Sequence, residues 1–148
     1  MEPAARASRL AQSTPGIAMT TSTDDRQINV KALRILVVED EVIIASDIAY
    51  TLQDMGHHVI GPATTVDEAL TFVRSEAIDC AFLDANLKGT SSAPIAAELA
   101  ARGVKFVVIT GYAKMKLDTL ALNSAPRIGK PFSVGDFSAA INALFPFS

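Results

Sequence analysis

The chain has 148 residues, 49% of them hydrophobic, and a net charge of −3 with no run of Lys or Arg. That is material for one cored domain, and nothing in it suggests an intrinsic nucleic-acid or membrane-binding surface. No apolar run is long enough to span a bilayer, the N-terminus has no hydrophobic signal core, and the single cysteine, Cys80, cannot form an internal disulfide. A cytoplasmic location is expected, with Cys80 as a buried, inert thiol.

Met1 to about Val30 is rich in Ala, Ser and Thr, with Pro3, Pro15 and Gly16 and no sustained periodicity. The expectation is a mobile tail over residues 1–31, an ordered domain over 32–148 and no output domain. Met19 is an alternative natural start within that tail.

Leu33 to Val38 reads as a first strand, followed at its carboxyl end by Glu39-Asp40-Glu41. Ile44, Ile48, Leu52 and Met55 then fall on one helical face, and Gly56 is placed to end the helix in a left-handed turn. His58 to Ile60 is a short strand, expected to stop at Gly61-Pro62. Thr65 and Glu68 have capping-box spacing ahead of a stripe of Val66, Ala69, Leu70 and Val73.

The chain is organised around the next stretch. Asp79 to Asp84 is apolar up to a single carboxylate, after which the chain turns through Ala85 to Gly89. Ser91 or Ser92 can cap the following helix, with Pro94 in its first turn, Ile95 and Leu99 facing inward and Gly103 closing it. Val104 to Ile109 is a continuous apolar strand ended by Thr110-Gly111. Tyr112 to Leu122 reads as a weaker helix, and Ala125 to Gly129 as a short strand leading to Lys130-Pro131. Ser133 can cap a last helix with Val134, Phe137, Ile141 and Leu144 inward.

Strand and helix alternate throughout. That pattern argues a flavodoxin-like (βα)5 fold, a doubly wound parallel five-stranded sheet in the order 2-1-3-4-5. In that order the first and third strands are neighbours and the crevice at their carboxyl ends binds ligands. Glu39, Asp40, Asp84, Thr110 and Lys130 would then share one rim. Clustered carboxylates do not all stay ionised unaided, and a hard cation such as Mg²⁺ removes that conflict. Lys130 suits a phosphate, and Thr110 can donate to a phosphoryl oxygen. With no glycine-rich phosphate loop and no Ser–His or Cys–His pair, a nucleotide is not expected. What remains is a carboxylate that accepts a phosphoryl group.

Val37-Val38-Glu39-Asp40-Glu41, Phe82-Leu83-Asp84, Val108-Ile109-Thr110-Gly111 and Gly129-Lys130-Pro131-Phe132 resemble the receiver domain of two-component response regulators, the CheY-like family. The resemblance covers Leu33 to about Phe145. It implies that Asp84 is the phosphoacceptor and that Glu39, Asp40, Asp84 and the backbone carbonyl of Asn86 hold Mg²⁺. It further implies that Thr110 is the switch hydroxyl, that Lys130 contacts the phosphoryl group, and that Lys130-Pro131 is a cis peptide. The implied partners are a sensor histidine kinase or histidine phosphotransferase and a downstream protein target. No nucleic acid or membrane partner is expected, and the oligomeric state is expected to be monomer or weak dimer. The role is signalling by phosphorylation-dependent contact, or service as a phosphate sink or shuttle. No enzymatic activity beyond its own phosphotransfer and autodephosphorylation is expected.

The Thr110-Gly111-Tyr112 ending is similar to a subgroup of alphaproteobacterial single-domain receivers with a Phe-Ala-Thr-Gly-type fourth strand, though Val108-Ile109 stands in place of Phe-Ala. Gly61-Pro62-Ala63 followed by Asp67-Glu68-Ala69-Leu70 looks like receivers served by kinases of the HWE or related class. One position departs from the common receiver. Where an aromatic ring usually stands in the fifth strand, this chain has Arg127. Arginine is expected to keep its guanidinium in water, which makes Tyr112 the candidate for reporting phosphorylation to a partner.

Two other functions compete. A Mg²⁺-dependent phosphohydrolase of haloacid-dehalogenase type also uses a nucleophilic aspartate but needs a second Asp two residues on, where this chain has Asn86. A degenerate receiver would bind partners without phosphate. His57 and His58 are adjacent and should point to opposite sides, so a metal pair is not expected. Phe132 and Phe137 are expected to pack rather than hold a cofactor.

Overall fold

The structure, a computed structural model, describes residues 31–111, 117 and 119–146. Five parallel strands form the main sheet: β1 (Arg34–Val38), β2 (His58–Ala63), β3 (Cys80–Asp84), β6 (Lys105–Thr110) and β7 (Arg127–Gly129). Two short antiparallel strands, β4 (Asn86–Leu87) and β5 (Thr90–Ser91), make a hairpin after β3. The sheet order is β2-β1-β3-β6-β7, which is the expected 2-1-3-4-5 once the hairpin is set aside.

The strands alternate between two cores. Ile35, Val37, Cys80, Phe82, Val107 and Ile109 face one side, where Ile48 and Leu52 of α1 (Val42–Asp54) and Phe137 and Leu144 of α5 (Val134–Leu144) cover them. Leu36, Val38, Ala81, Leu83 and Val108 face the other side, against Val73 of α2 (Val66–Ser75), Ile95 and Leu99 of α3 (Ala93–Ala101) and Leu122 of α4 (Leu120–Ser124). Burial on both faces explains why these strands read as unbroken apolar runs. Cys80 lies in this core, and burial pushes its thiol up to about 12. Among the described residues no helix is long and apolar enough to cross a membrane.

Several local expectations are met. Gly56 and Gly103 take φ of +97° and +71° after α1 and α3. Ser133 and Asp136 form a reciprocal capping box at α5. His57 is buried and His58 exposed, on opposite sides as expected. Leu33 is held from both directions there: its N–H donates to His57 Nδ1 at 3.1 Å and its carbonyl accepts from the N–H of His58 at 2.8 Å.

Others are corrected. β2 does not stop at Gly61-Pro62 but runs on to Ala63, with a register shift between Leu36 and Val38. The strand lies at the sheet edge, where a proline costs no ladder bond on its outer side, and Gly61 takes φ +93° to absorb the extra residue. At α2, Thr65 caps the N–H of Glu68, but Glu68 returns its carboxylate to Thr64, one residue before the expected partner. Ser92 precedes α3 without a side-chain cap, and its hydroxyl donates instead to the carbonyl of Ala85. Val134 is 61% exposed rather than inward, because it is the first residue of α5 and the stripe meeting the sheet starts at Phe137. The fourth helix begins at Leu120, capped by Thr119, and reaches Ser124. Tyr112, in the stretch expected to be helical, lies outside the described residues.

Candidate functional site

The carboxyl ends of the central strands converge because of their register. Asp84 pairs with Ile109, and Thr110 pairs with Gly129, which delivers Lys130 to the same edge. The Lys130 N–H donates to the Thr110 carbonyl at 3.0 Å, and the Ala85 N–H donates to the Ile109 carbonyl at 3.0 Å. On the other side, the Glu39 N–H donates to the Ala63 carbonyl at 2.9 Å and fixes the turn after β1.

Asp84 is 6% exposed at the end of β3. Its Oδ1 accepts from the Asn86 N–H at 3.0 Å, and its Oδ2 accepts from Lys130 Nζ at 3.0 Å. The hairpin supplies the first of these contacts. Lys88 and Gly89 take φ of 51° and 84°, the left-handed pair that suits a two-residue turn, and Asn86 Oδ1 accepts from the Gly89 N–H. Aromatic packing supports the second. Phe132, just after Lys130-Pro131, meets the edge of Phe137, which packs on Phe82 of β3. Lys130-Pro131 is cis, as expected, and so is Gly61-Pro62.

Glu39 is fully buried. Its Oε2 accepts from the Glu41 N–H at 3.1 Å. Its Oε1 lies 3.2 Å from Lys130 Nζ but off the direction of a hydrogen bond, so this buried oxygen has charge contact and no hydrogen-bond partner. Burial pushes the Glu39 carboxyl up to about 7; the Glu41 N–H opposes this, the Asp84 charge adds to it, and Lys130 opposes it again. For Lys130, burial works against the charged form, but the Asp84 hydrogen bond and the Asp84 and Glu39 charges outweigh it and raise its pKa.

Asp40 completes the group: carboxylate oxygens of Glu39, Asp40 and Asp84 all lie within 4.8 Å of one another. Three clustered carboxylates, one of which has a buried oxygen without a hydrogen-bond partner, fit a small divalent cation. The predicted residues Glu39, Asp40, Asp84 and Lys130 are thus together, with Thr110, 4% exposed, on the adjoining strand end.

Arg127 departs from expectation. It is half-buried on β7 opposite Val108, and its Nη2 donates to Asn123 Oδ1 and to the Asn123 carbonyl, at 2.5 and 3.5 Å. A guanidinium fork with an acceptor one helical end away trades water for that acceptor. Sequence reasoning had not singled out Asn123. Nor had it found the Ser92 contact to Ala85, which closes the base of the hairpin.

Comparison with known proteins agrees with this fold. Residues 35–142 match the response regulator receiver domain. The chain is 29% identical over 126 residues to the transcriptional regulatory protein PdtaR of Mycobacterium tuberculosis, covering 83% of this chain and 61% of that protein. It is 35% identical over 118 residues to the phyllosphere-induced regulator PhyR of Methylorubrum extorquens, covering 77% of this chain and 44% of PhyR. The chain thus spans about half to three-fifths of these relatives. The solution structure of SdrG from Sphingomonas melonis Fr1 superposes with a TM-score of 0.69 at 36% identity, over 77% of this chain and 97% of SdrG. A buried aspartate at the end of β3, salt-bridged to a lysine after β7 and flanked by two acids after β1, sits where these matches run, and the chain belongs to the response regulator receiver family of two-component systems.

Proposed function

We propose that this protein accepts a phosphoryl group on Asp84 from a phosphohistidine and passes the signal on by phosphorylation-dependent protein contact, or serves as a phosphate sink or shuttle. The observation that carries this reading is the placement of Asp84 Oδ2 3.0 Å from Lys130 Nζ, inside a group of three carboxylates. In the transfer, the donor's N–P bond breaks and a P–O bond to the Asp84 carboxylate forms. Lys130 offsets negative charge on the moving group, and the Thr110 hydroxyl donates to one of its oxygens afterwards. Glu39, Asp40, Asp84 and the Asn86 carbonyl would hold Mg²⁺, which supplies charge neutralisation for phosphoryl oxygens when bound. The Asn86 N–H holds the Asp84 carboxylate in one orientation before reaction.

The donor is a sensor histidine kinase, of the HWE or a related class, or a histidine phosphotransferase. The acceptor of the signal is a protein in the cytoplasm. Similarity to PhyR and to SdrG, the latter over 97% of its chain, supports a role like that of those receivers.

The test is incubation with acetyl phosphate and Mg²⁺, followed by intact-mass measurement of wild type and Asp84→Asn. One phosphoryl adduct in wild type and none in the variant supports the acceptor reading. Sustained phosphate release with many turnovers would instead indicate a hydrolase, and no adduct a phosphate-independent binding module.

A further inference from the structure

Ser92 is a fully buried polar residue that the transfer chemistry does not use. It stands at the N-cap of α3, yet its side chain caps nothing. The start of the helix explains why the hydroxyl can be spared. The Ala93 N–H donates to Ser91 Oγ at 3.0 Å, Pro94 has no N–H, and the N–H groups of Ile95 and Ala96 both donate to the Ser92 carbonyl, at 3.0 and 3.1 Å. Every donor of the first turn is thus served without it. The hydroxyl donates instead to the Ala85 carbonyl at 3.2 Å, and the Ser92 N–H donates to the same oxygen at 3.1 Å. One residue therefore takes both lone pairs of that carbonyl.

The Ala85 carbonyl and the Asn86 N–H belong to one planar peptide unit, which is trans, so they point in opposite directions. The Asn86 N–H is the group that donates to Asp84 Oδ1 at 3.0 Å. On the near side, the Ala85 N–H is tied to the Ile109 carbonyl of β6 at 3.0 Å. With the oxygen of the plane held from the core, its N–H is aimed at the Asp84 carboxylate.

We propose, resting on the reading of Asp84 as phosphoacceptor, that Ser92 is a positioning residue: through the rigid Ala85–Asn86 peptide it sets the orientation of the Asp84 carboxylate. Asp84 Oδ2 is held independently by Lys130, so loss of the Ser92 hydroxyl loosens one end of the carboxylate and not the other. A single N–H bond then holds the Ala85 oxygen, and the peptide plane can rotate about its Cα–Cα axis. The carboxylate spends less time in the orientation from which it attacks. That lowers the rate of transfer and not the binding of the donor.

The experiment compares the full chain as wild type, Ser92→Ala, Ser92→Cys and Ser91→Ala. Labelling over a concentration series of acetyl phosphate in saturating Mg²⁺ is followed by intact mass, and amide exchange by nuclear magnetic resonance in unlabelled protein. Ser92→Ala is expected to lower the maximal labelling rate about threefold to tenfold, in keeping with loss of one hydrogen bond, while the half-saturating acetyl phosphate concentration stays within about twofold. Its Asn86 amide should exchange about threefold to tenfold faster, with the Leu99 amide inside α3 unchanged. Ser92→Cys keeps a side chain of similar shape with only a weak S–H donor, so its rate should fall between those of Ser92→Ala and wild type. Ser91→Ala removes the acceptor of the Ala93 N–H and loosens the same helix end without touching Ala85, and it should label within about twofold of wild type. An equal slowdown in Ser91→Ala and Ser92→Ala, full-rate labelling by Ser92→Ala or Ser92→Cys, or a slowdown with the Asn86 amide unchanged overturns the positioning role and leaves the acceptor reading in place. Equal labelling of Asp84→Asn and wild type overturns the acceptor reading and the positioning role with it.

Discussion

Lys130 and Asp84 are joined at 3.0 Å across the ends of β7 and β3, strands that are not neighbours in the sheet. β6 lies between them, so the pair spans the strand that carries Thr110. Replacing Lys130 by Met keeps the stem and removes the charge. Two buried carboxylates then lose their common cation, and stability without Mg²⁺ should fall by about 1–3 kcal/mol. Labelling by acetyl phosphate should slow at least about tenfold, equal to about 1.4 kcal/mol of lost transition-state stabilisation. Denaturant titration and timed intact-mass measurement check the two effects.

Glu39→Gln should have an effect on stability that depends on pH. The Glu39 carboxyl is raised from 4.5 to about 7 in the folded protein, so the folded state holds its proton more firmly than the unfolded state. That contribution is present at low pH and is lost as pH rises through about 7. Glutamine resembles the protonated acid. In chelator, the variant should match wild type near pH 5 and exceed it near pH 8.5, by on the order of 2 kcal/mol. Equal stability at both pH values would contradict the burial cost.

Asp40→Ala should separate metal affinity from folding. Asp40 is only half-buried and contributes one of three clustered carboxylates. Its loss should weaken Mg²⁺ binding at least about tenfold, measured by calorimetry, and relieve repulsion in the metal-free protein. Unchanged affinity would remove Asp40 from the site.

His57 should give the chain a stability loss in mild acid. Burial lowers its pKa below 6.5, and its Nδ1 accepts from the Leu33 N–H, which requires the unprotonated nitrogen. The unfolded chain binds the proton first. The stability this group contributes is therefore full above 6.5 and declines as pH falls toward the lowered folded value. His57→Ala should cost about 1–3 kcal/mol at pH 8, because the buried Leu33 N–H loses its acceptor. The gap between variant and wild type should narrow at pH 5.5.

Phe137→Ala should be the costliest of these changes. The ring is 1% exposed and touches both Phe82 and Phe132, so the cavity opens beneath Asp84 and Lys130 alike. A loss of about 3–5 kcal/mol is expected by denaturant titration. In protein that remains folded, labelling should slow as well.

The strand ends were readable because an apolar run stopping at a polar residue is a local signal, and β1, β3 and β6 each carry one. Parallel alternation then placed Glu39, Asp84, Thr110 and Lys130 together without any side-chain information. The hairpin was not readable, since strands of two residues show no period and Lys88 is not a usual left-handed residue. Arg127 was judged by its intrinsic liking for water, but its partner is set by the return of α4 into β7, a relation between elements. Asn123 carried no signal for the same reason: an asparagine near a helix end has many ordinary uses.

Gly61 shows how far the acidic corner's sensitivity reaches. A Cβ at that residue would stand 2.7 Å from the Ala63 nitrogen and 3.1 Å from the Val37 carbonyl, in a backbone already at φ +93°. Ala63 is the residue whose carbonyl receives the Glu39 N–H. A methyl group on the outermost strand would therefore push on the link that sets the first acid's height. In a mutational screen scored by Mg²⁺ response, Gly61 is expected to emerge beside the proposed ligands although it offers an ion no atom, and a designer grafting the acidic pair elsewhere would have to carry this edge strand along.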